Sequence, residues 1–253
     1  MHVDIYGGPD TPVVRDRWTA PNSVNQWWSD NGIIQIWVDP RAGGHNGRKG
    51  LDMIYRQLTV NEVKDFIAWA EWLKSQPYVI GDKIGVEGFS FGGTMTSMLL
   101  MQAPDSFHYG VAGGGVYDWA LYDTHYTERY MDTPQNNPDG YKISRALEYV
   151  AGYPATYSAA ASGASVPSSE SDAAQASVSA TTVDPVMLKI THGTGDDNVH
   201  HQNTLLLIDA LQKEGKKFDF MIYPDGMHGY RGYQGAHFQN ANRDFWLRYL
   251  LSK

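Results

Sequence analysis

The segment from Lys83 to Gly93 constrains the fold of this chain more than any other. An apolar stretch over residues 83–87 runs directly into Gly-Phe-Ser-Phe-Gly-Gly at residues 88–93, which contains the pattern Gly-x-Ser-x-Gly. Between a predicted strand and a predicted helix, this pattern forces an abrupt reversal that strains the Ser90 backbone and leaves its Oγ clear of the sheet. The flanking glycines leave room for the close approach of strand and helix.

In a chain with 26 glycines, this pattern alone is also compatible with a turn that has no chemical role. Two later segments favour a nucleophile. Asp196 and Asp197 lie in a Gly-bearing loop after the apolar run 186–190, and His228 lies in a similar loop after the alternating run 218–223. Serine, acid and histidine follow one another in the order of α/β-hydrolase triads, and all lie at the carboxyl ends of predicted strands.

The bulk composition excludes several functional classes. The chain has 253 residues, 42% of them hydrophobic, which is enough for one large domain or two small ones. Its net charge of −8 argues against nucleic acid or anionic membranes as partners. The absence of cysteine excludes disulfides, thiolate nucleophiles and zinc–thiolate sites. Neither a transmembrane run nor a signal peptide is predicted, and the abrupt start suggests a fragment of a longer protein.

Strand-like and helix-like runs alternate along the chain. The predicted strands are 3–6, 32–38, 83–87, 109–112, 186–191 and 218–223, and the predicted helices are 61–75, 91–102, 203–213 and 238–250. This alternation predicts a parallel sheet with helices on both faces. Residues 155–182 are mostly Ala and Ser and predict a flexible insert within one domain spanning 1–253, with a functional lid as the alternative.

Four motifs together resemble the prolyl oligopeptidase family, and within it the dipeptidyl peptidase IV branch. They are Tyr-Gly-Gly-Pro at 6–9, the serine motif at 88–93, Tyr-Thr-Glu-Arg-Tyr-Met at 126–131, and His-Gly-Thr-Gly-Asp-Asp-Asn-Val-His at 192–200. The resemblance implies a serine peptidase that needs no cofactor, with an α/β-hydrolase domain carried behind an N-terminal β-propeller. The propeller and the first two strands of the usual hydrolase sheet are not recognisable in this sequence.

The resemblance also implies roles for individual residues. Ser90 matches the nucleophile, Asp196 the triad acid and His228 the base. The Tyr6 hydroxyl and the backbone N–H of Phe91 match the oxyanion donors. A pocket for a proline ring and the preceding carbonyl is expected from six further residues, namely Val116, Trp119, Tyr122, Tyr126, Asn198 and Val199. An aromatic slot suits a rigid pyrrolidine ring that has no N–H to satisfy.

The resemblance further predicts that the acidic pair that binds a substrate's amino terminus belongs to the propeller. Nothing in these residues replaces that pair, so we expect a peptide substrate but weak amino-terminal selectivity. A carboxylesterase with the same triad remains an alternative, as does an inactive domain whose sheet edge pairs with a missing strand.

Competing interpretations apply to single residues. His192, His200 and His201 could form a metal site with the neighbouring aspartates, but this Gly-bearing loop offers no obvious third ligand set, so no metal is expected. Tyr6, Tyr122 and Tyr126 could be ordinary core aromatics. Residues 41–50, rich in glycine, could bind an anion but favour a plain connection, because they lack the Gly-Lys-Ser/Thr ending of a phosphate loop.

Overall fold

The structure, a computed structural model, describes residues 1–157 and 184–251. In these ranges the strands are β1 (His2–Asp4), β2 (Gln35–Trp37), β3 (Gly85–Phe89), β4 (Tyr109–Gly113), β5 (Met187–Gly193) and β6 (Asp219–Tyr223). They form one six-stranded parallel sheet in the order β2-β1-β3-β4-β5-β6. Strand β1 lies between β2 and β3, so the strand order is reversed at this end of the sheet. This strand order and the helical crossovers confirm the predicted α/β-hydrolase fold.

Eight α-helices are present in the described ranges. They are α1 (Ser23–Asp30), α2 (Gly47–Asp52), α3 (Val60–Lys74), α4 (Phe91–Gln102), α5 (Thr124–Met131), α6 (Pro138–Ile143), α7 (Gln202–Lys213) and α8 (Gly232–Leu250). Short 3₁₀ helices span Trp119–Leu121 and Ala146–Gly152. Among these residues, no helix has both the length and the apolar character needed to cross a membrane.

The helices cover both faces of the sheet. Helices α3, α4 and α7 contribute to the larger apolar core, and every residue of α4 from Phe91 to Met101 is buried. A helix that is apolar on all sides is stable only when it is enclosed in this way. A second apolar cluster on the opposite face includes Trp28 of α1, Trp246 of α8 and Tyr109 of β4.

Burial falls from the centre of the sheet to its edges. All residues of β4 and β5 are buried, as expected for central parallel strands covered on both faces. The edge strand β6 alternates between partly buried and exposed side chains until Tyr223. The strand β2 forms the other edge and leaves Trp37 exposed.

Some boundaries differ from the sequence expectations. Helix α8 begins at Gly232 rather than at 238. The prediction missed its first turns because they are largely exposed and carry no apolar period. Part of the predicted connection 41–50 folds into α2. Helix α1 was not predicted, although Asn22 caps it by accepting hydrogen bonds from the N–H groups of Val24 and Asn25.

The predicted insert, 155–182, lies outside the described residues except at its start. There, the Ala155 carbonyl accepts a hydrogen bond of 2.8 Å from the Lys217 N–H. Thr156 forms an isolated antiparallel bridge with Lys216. The chain that enters the insert is therefore tied to the residues just before β6.

Candidate active site

Ser90 lies in a strained turn between β3 and α4. Its backbone has φ 61° and ψ −122°, a conformation that side-chain-bearing residues seldom adopt. The turn is held by a 2.8 Å hydrogen bond from the Ser90 N–H to the Gly113 carbonyl. A Cβ at Gly88 would lie 2.5 Å from the Gly92 carbonyl carbon, and one at Gly92 would lie 2.6 Å from the Ile5 oxygen. The glycines are therefore required by packing.

His228 and Asp196 are in direct contact. The distance between His228 Nδ1 and Asp196 Oδ2 is 2.7 Å, and the Asp196 side chain is only 1% exposed. Because the carboxylate accepts a hydrogen bond from the N–H at Nδ1 of His228, the other ring nitrogen, Nε2, is left as the basic site. The Phe89 ring, adjacent to Ser90 in the chain, packs edge-on against the imidazole at 5.1 Å. This contact holds His228 beside the turn.

Asp196 is surrounded by donors. Its Oδ1 accepts hydrogen bonds from the backbone N–H groups of Asn198 and Val199, at 3.0 and 2.9 Å. Burial by itself would raise the pKa of Asp196, but hydrogen bonds from His192 and His228 outweigh it, so the pKa lies well below its usual range. The acid is therefore ionised and fixed in orientation.

His192 is a supporting residue whose role the sequence reasoning missed. It is fully buried, and its Nε2 lies 2.8 Å from the Val199 carbonyl and 3.3 Å from Asp196 Oδ2. A carbonyl can only accept, so Nε2 carries the proton, while the Thr204 hydroxyl donates to Nδ1 at 2.7 Å. The His-x-x-x-Asp spacing at the end of β5 was noted only as a metal-ligand alternative.

Tyr6 follows β1 and reaches the nucleophile. Burial raises the pKa of Tyr6, and a hydrogen bond between its side chain and Ser90 lowers it by less. The Tyr6 ring folds over Gly8, where any Cβ would overlap its Cε1 atom. Helix α4 begins at Phe91, whose N–H is among those left without an intrahelical acceptor. The Tyr6 hydroxyl and the Phe91 N–H thus both lie next to Ser90.

The six predicted pocket residues form two groups. Trp119, Tyr122 and Tyr126 make an aromatic wall in which neighbouring ring centroids lie 5.5 to 6.3 Å apart. The Tyr122 hydroxyl donates a 2.8 Å hydrogen bond to Asn198 Oδ1, which joins this wall to the loop that carries Asp196. Val116 and Val199 are buried, at 2% and 0% exposure, as is Trp119 at 1%, and all three belong to the larger apolar core against which Tyr122 and Tyr126 pack.

Further residues hold this wall in place and were not predicted. The Tyr130 ring packs 5.0 Å from that of Tyr126. Asn203 Oδ1, buried on α7, accepts hydrogen bonds from the N–H groups of Tyr117 and Asp118 at 3.0 and 3.1 Å. Together these contacts fix the loop between β4 and α5. The sequence signal for Asn203 was an amide at a position that shares a helix face with Leu207 and Leu211.

An open cleft of about 430 Å³ borders the imidazole of His228. Polar and charged side chains line much of it, including Asp197, Arg231 and Gln234. The cleft gives water and small solutes a route to the imidazole.

Comparisons with known proteins identify the family of this chain. Residues 19–253 match a sequence model described as the prolyl oligopeptidase family. The chain is 35% identical over 241 residues to the "Probable dipeptidyl-aminopeptidase B" of Talaromyces marneffei and 36% identical over 247 residues to that of Coccidioides posadasii. These alignments cover 94% and 96% of the chain but 23% of each relative.

A solved structure leads to the same family. The crystal structure of Porphyromonas gingivalis dipeptidyl peptidase 4 superposes with a TM-score of 0.81 at 32% sequence identity. The match covers 97% of this chain and 30% of that one. By sequence and by fold, this chain belongs to the prolyl oligopeptidase family.

Proposed function

We propose that this chain is a serine hydrolase that cleaves peptide bonds after proline through an acyl-enzyme. The observation that carries the proposal is the 2.7 Å contact between His228 and a buried, ionised Asp196, beside a serine held at positive φ. Such a constellation activates a hydroxyl that would otherwise be a weak nucleophile. The family relationship supports the same chemistry.

In this mechanism His228 Nε2 takes the Ser90 proton as Oγ attacks the scissile carbonyl. Asp196 holds the imidazole tautomer and stabilises the cation that forms. The Tyr6 hydroxyl and the Phe91 N–H stabilise the tetrahedral oxyanion, and one such donor is commonly worth about 3 kcal/mol of the barrier. His228 then protonates the leaving amine, and water that it activates releases the acyl group from Ser90.

The aromatic wall is proposed to receive the proline ring. The partly exposed Tyr122 and Tyr126, with the buried Trp119 packed against them, offer ring surface to an apolar pyrrolidine, and the exposed Asn198 amide is available to fix a neighbouring carbonyl. The names of the relatives suggest removal of amino-terminal dipeptides. Because the chain spans only about a quarter of those relatives, we propose that a β-propeller partner supplies the carboxylates for the substrate amine.

Hydrolysis of Ala-Pro-p-nitroanilide and of p-nitrophenyl acetate tests this function. We expect both to be cleaved, and both activities to vanish in Ser90→Ala but persist in Ser29→Ala, which changes an exposed serine on α1. Cleavage of the ester alone would favour a carboxylesterase. Cleavage of neither would leave the inactive-domain alternative.

A further inference from the structure

A small cleft, which we call the Glu87 cleft, lies between α1 and α8 on the face of the sheet that these helices cover. This Glu87 cleft encloses about 100 Å³. Its lining is Val24, Trp27, Trp28, Glu87, Phe238, Gln239, Asn242, Arg243 and Trp246. None of these side chains belongs to the proposed active site, because Glu87 projects from β3 toward α8 rather than toward the loops beyond the strand ends.

Glu87 places a fixed carboxylate in this cleft. Its Oε1 accepts a 2.9 Å hydrogen bond from Asn242, and its Oε2 accepts one of 3.0 Å from the Trp246 indole and lies 3.1 Å from His2 Nε2. The side chain remains 23% exposed. Its carboxylate is therefore held rigidly and can still be reached by a small solute.

The amide of Asn242 is itself fixed in orientation. Its Oδ1 accepts a 3.0 Å hydrogen bond from the buried Lys189 ammonium, so its NH₂ group must face Glu87. The position of the carboxylate thus depends on a chain of contacts that reaches across the sheet to β5. A preorganised charge of this kind binds a ligand without first having to be ordered.

Aromatic rings make the other walls. The rings of Trp27 and Trp28 meet edge to face at 4.9 Å, and Trp28 lies 6.3 Å from Trp246. His2 stacks on Trp28 at 4.1 Å, which keeps that indole upright against the sheet. Trp28 and Trp246 are almost fully enclosed, at 7% and 0% exposure, so the partly exposed Trp27 is the indole that offers a ring face near the carboxylate. An aromatic face beside a carboxylate can bind an organic ammonium ion.

The side chain of Arg243, a cation, already contacts the Trp27 wall of the cleft. The Arg243 guanidinium carbon lies 5.4 Å from the centroid of the Trp27 ring, within the range of a cation–π contact. Arg243 is on α8 at the border of the cleft and makes no ion pair with Glu87 among the described residues. This contact indicates that the Trp27 face attracts positive charge.

We propose that the Glu87 cleft binds a small organic ammonium ion, with its alkyl groups against the Trp27 ring and its charge toward the Glu87 carboxylate. The size of the cleft limits the ligand to a head group such as that of choline or a methylated amine. Arg243 competes for the Trp27 face and weakens this binding. The inference is independent of the proposed peptidase function.

Choline and its neutral isostere 3,3-dimethylbutan-1-ol serve as probes. Binding is measured by isothermal titration calorimetry and by tryptophan fluorescence. We expect choline to bind at least about 10-fold more tightly than the neutral alcohol, because only the cation is attracted by the Glu87 carboxylate and the Trp27 ring face. Equal binding of the two probes would overturn the proposal, as would no binding of choline at 100 mM, since a Kd above that concentration corresponds to a binding free energy weaker than about 1.4 kcal/mol.

Two variants should shift this preference in opposite directions. Glu87→Gln keeps the shape of the side chain and should abolish the preference for choline. Arg243→Leu should tighten choline binding by about 3-fold by freeing the Trp27 face. Trp72→Leu, at an exposed position on α3, is the control and should change neither. Should Glu87→Gln fail to fold, unchanged or weaker binding in Arg243→Leu would still contradict the proposal.

Discussion

Two buried acids in this molecule differ in the donors around them. Asp196 and Glu62 are 5% and 0% exposed, so water is nearly absent from both. The pKa of Asp196 lies well below its usual range, whereas burial raises the pKa of Glu62 to about 8. The same penalty for burying a charge therefore has opposite outcomes at the two positions.

The number of hydrogen-bond donors explains the difference. Asp196 receives two backbone N–H groups and lies within 3.3 Å of two imidazoles. Neither oxygen of Glu62 has a hydrogen-bond partner of normal geometry in the described structure, and the N–H groups at the start of α3 offset its burial only in part. Because burial is common to both acids, the donors that converge on Asp196 are what distinguish the acid of the proposed active site.

Removing the charge of each acid should give the largest difference in activity between the two positions. Asp196→Asn should lower kcat by roughly 10³-fold to 10⁴-fold, because the amide no longer selects the His228 tautomer or stabilises its cation. Glu62→Gln, the matched control, should stay within about 3-fold of wild-type activity. Steady-state kinetics with the proline anilide would measure both, and similar losses in the two variants would contradict this account.

Removing one oxyanion donor should have the next largest effect. Tyr6→Phe deletes the hydroxyl that contacts Ser90 but keeps the ring, so kcat should fall by about 10²-fold. The free energy of unfolding should change by less than about 1 kcal/mol. Kinetics and urea denaturation separate the two effects. Turnover that is unchanged in this variant would mean that Tyr6 is only a core residue.

Glu62→Gln should change the pH dependence of stability. In the unfolded chain Glu62 ionises near its ordinary pKa, about 4.5, but in the folded protein it stays neutral until about pH 8. The folded state therefore binds more protons between these values, and this group makes folding less favourable as pH rises. The variant should gain about 1 to 3 kcal/mol over wild type between pH 5 and 8. Urea denaturation at both pH values measures this gain.

The same linkage has the opposite sign at Asp196. Its lowered pKa stabilises the fold above the ordinary aspartate range, and that contribution is lost as the pH falls through the folded-state pKa. Asp196→Asn should therefore lose stability relative to wild type at pH 7 and recover part of it at pH 3. A stability difference that does not vary with pH in either variant would show that the two acids do not differ in this way.

The smallest expected effect concerns the substrate's amino terminus. With this chain alone, free and N-acetylated Ala-Pro-p-nitroanilide should differ in kcat/KM by less than about 3-fold, because a fixed ammonium needs buried carboxylates to pair with it. The wall of Trp119, Tyr122 and Tyr126 contains no carboxylate. A strong preference for the free amine would show that the chain has its own amine site.

The sequence predicted the parts of the molecule that depend on local pattern. The strand–turn–helix around Ser90 and the central strands follow from apolar runs and glycine spacing, and all six strands were predicted near their observed positions. The positions of Asp196 and His228 at strand ends placed them on one edge of the sheet. Their contact follows from the parallel topology.

Other features could not be predicted because they depend on tertiary contacts. His192 and Asn203 stabilise the site through hydrogen bonds to residues far along the chain or to backbone atoms. Helix α1 and the first turns of α8 are largely exposed, so they lack the apolar period that identifies a helix. The Glu87 cleft needs residues from β3, α1 and α8 together, which no single window of sequence contains.

The most direct test of the triad is labelling with a fluorophosphonate probe followed by peptide mass spectrometry. We predict a single adduct on Ser90 that forms rapidly in wild type and in Glu62→Gln, at least about 100-fold more slowly in Asp196→Asn, and not at all in Ser90→Ala. An adduct on another residue, or equal labelling rates in wild type and Asp196→Asn, would contradict the claim that Ser90, His228 and Asp196 act together.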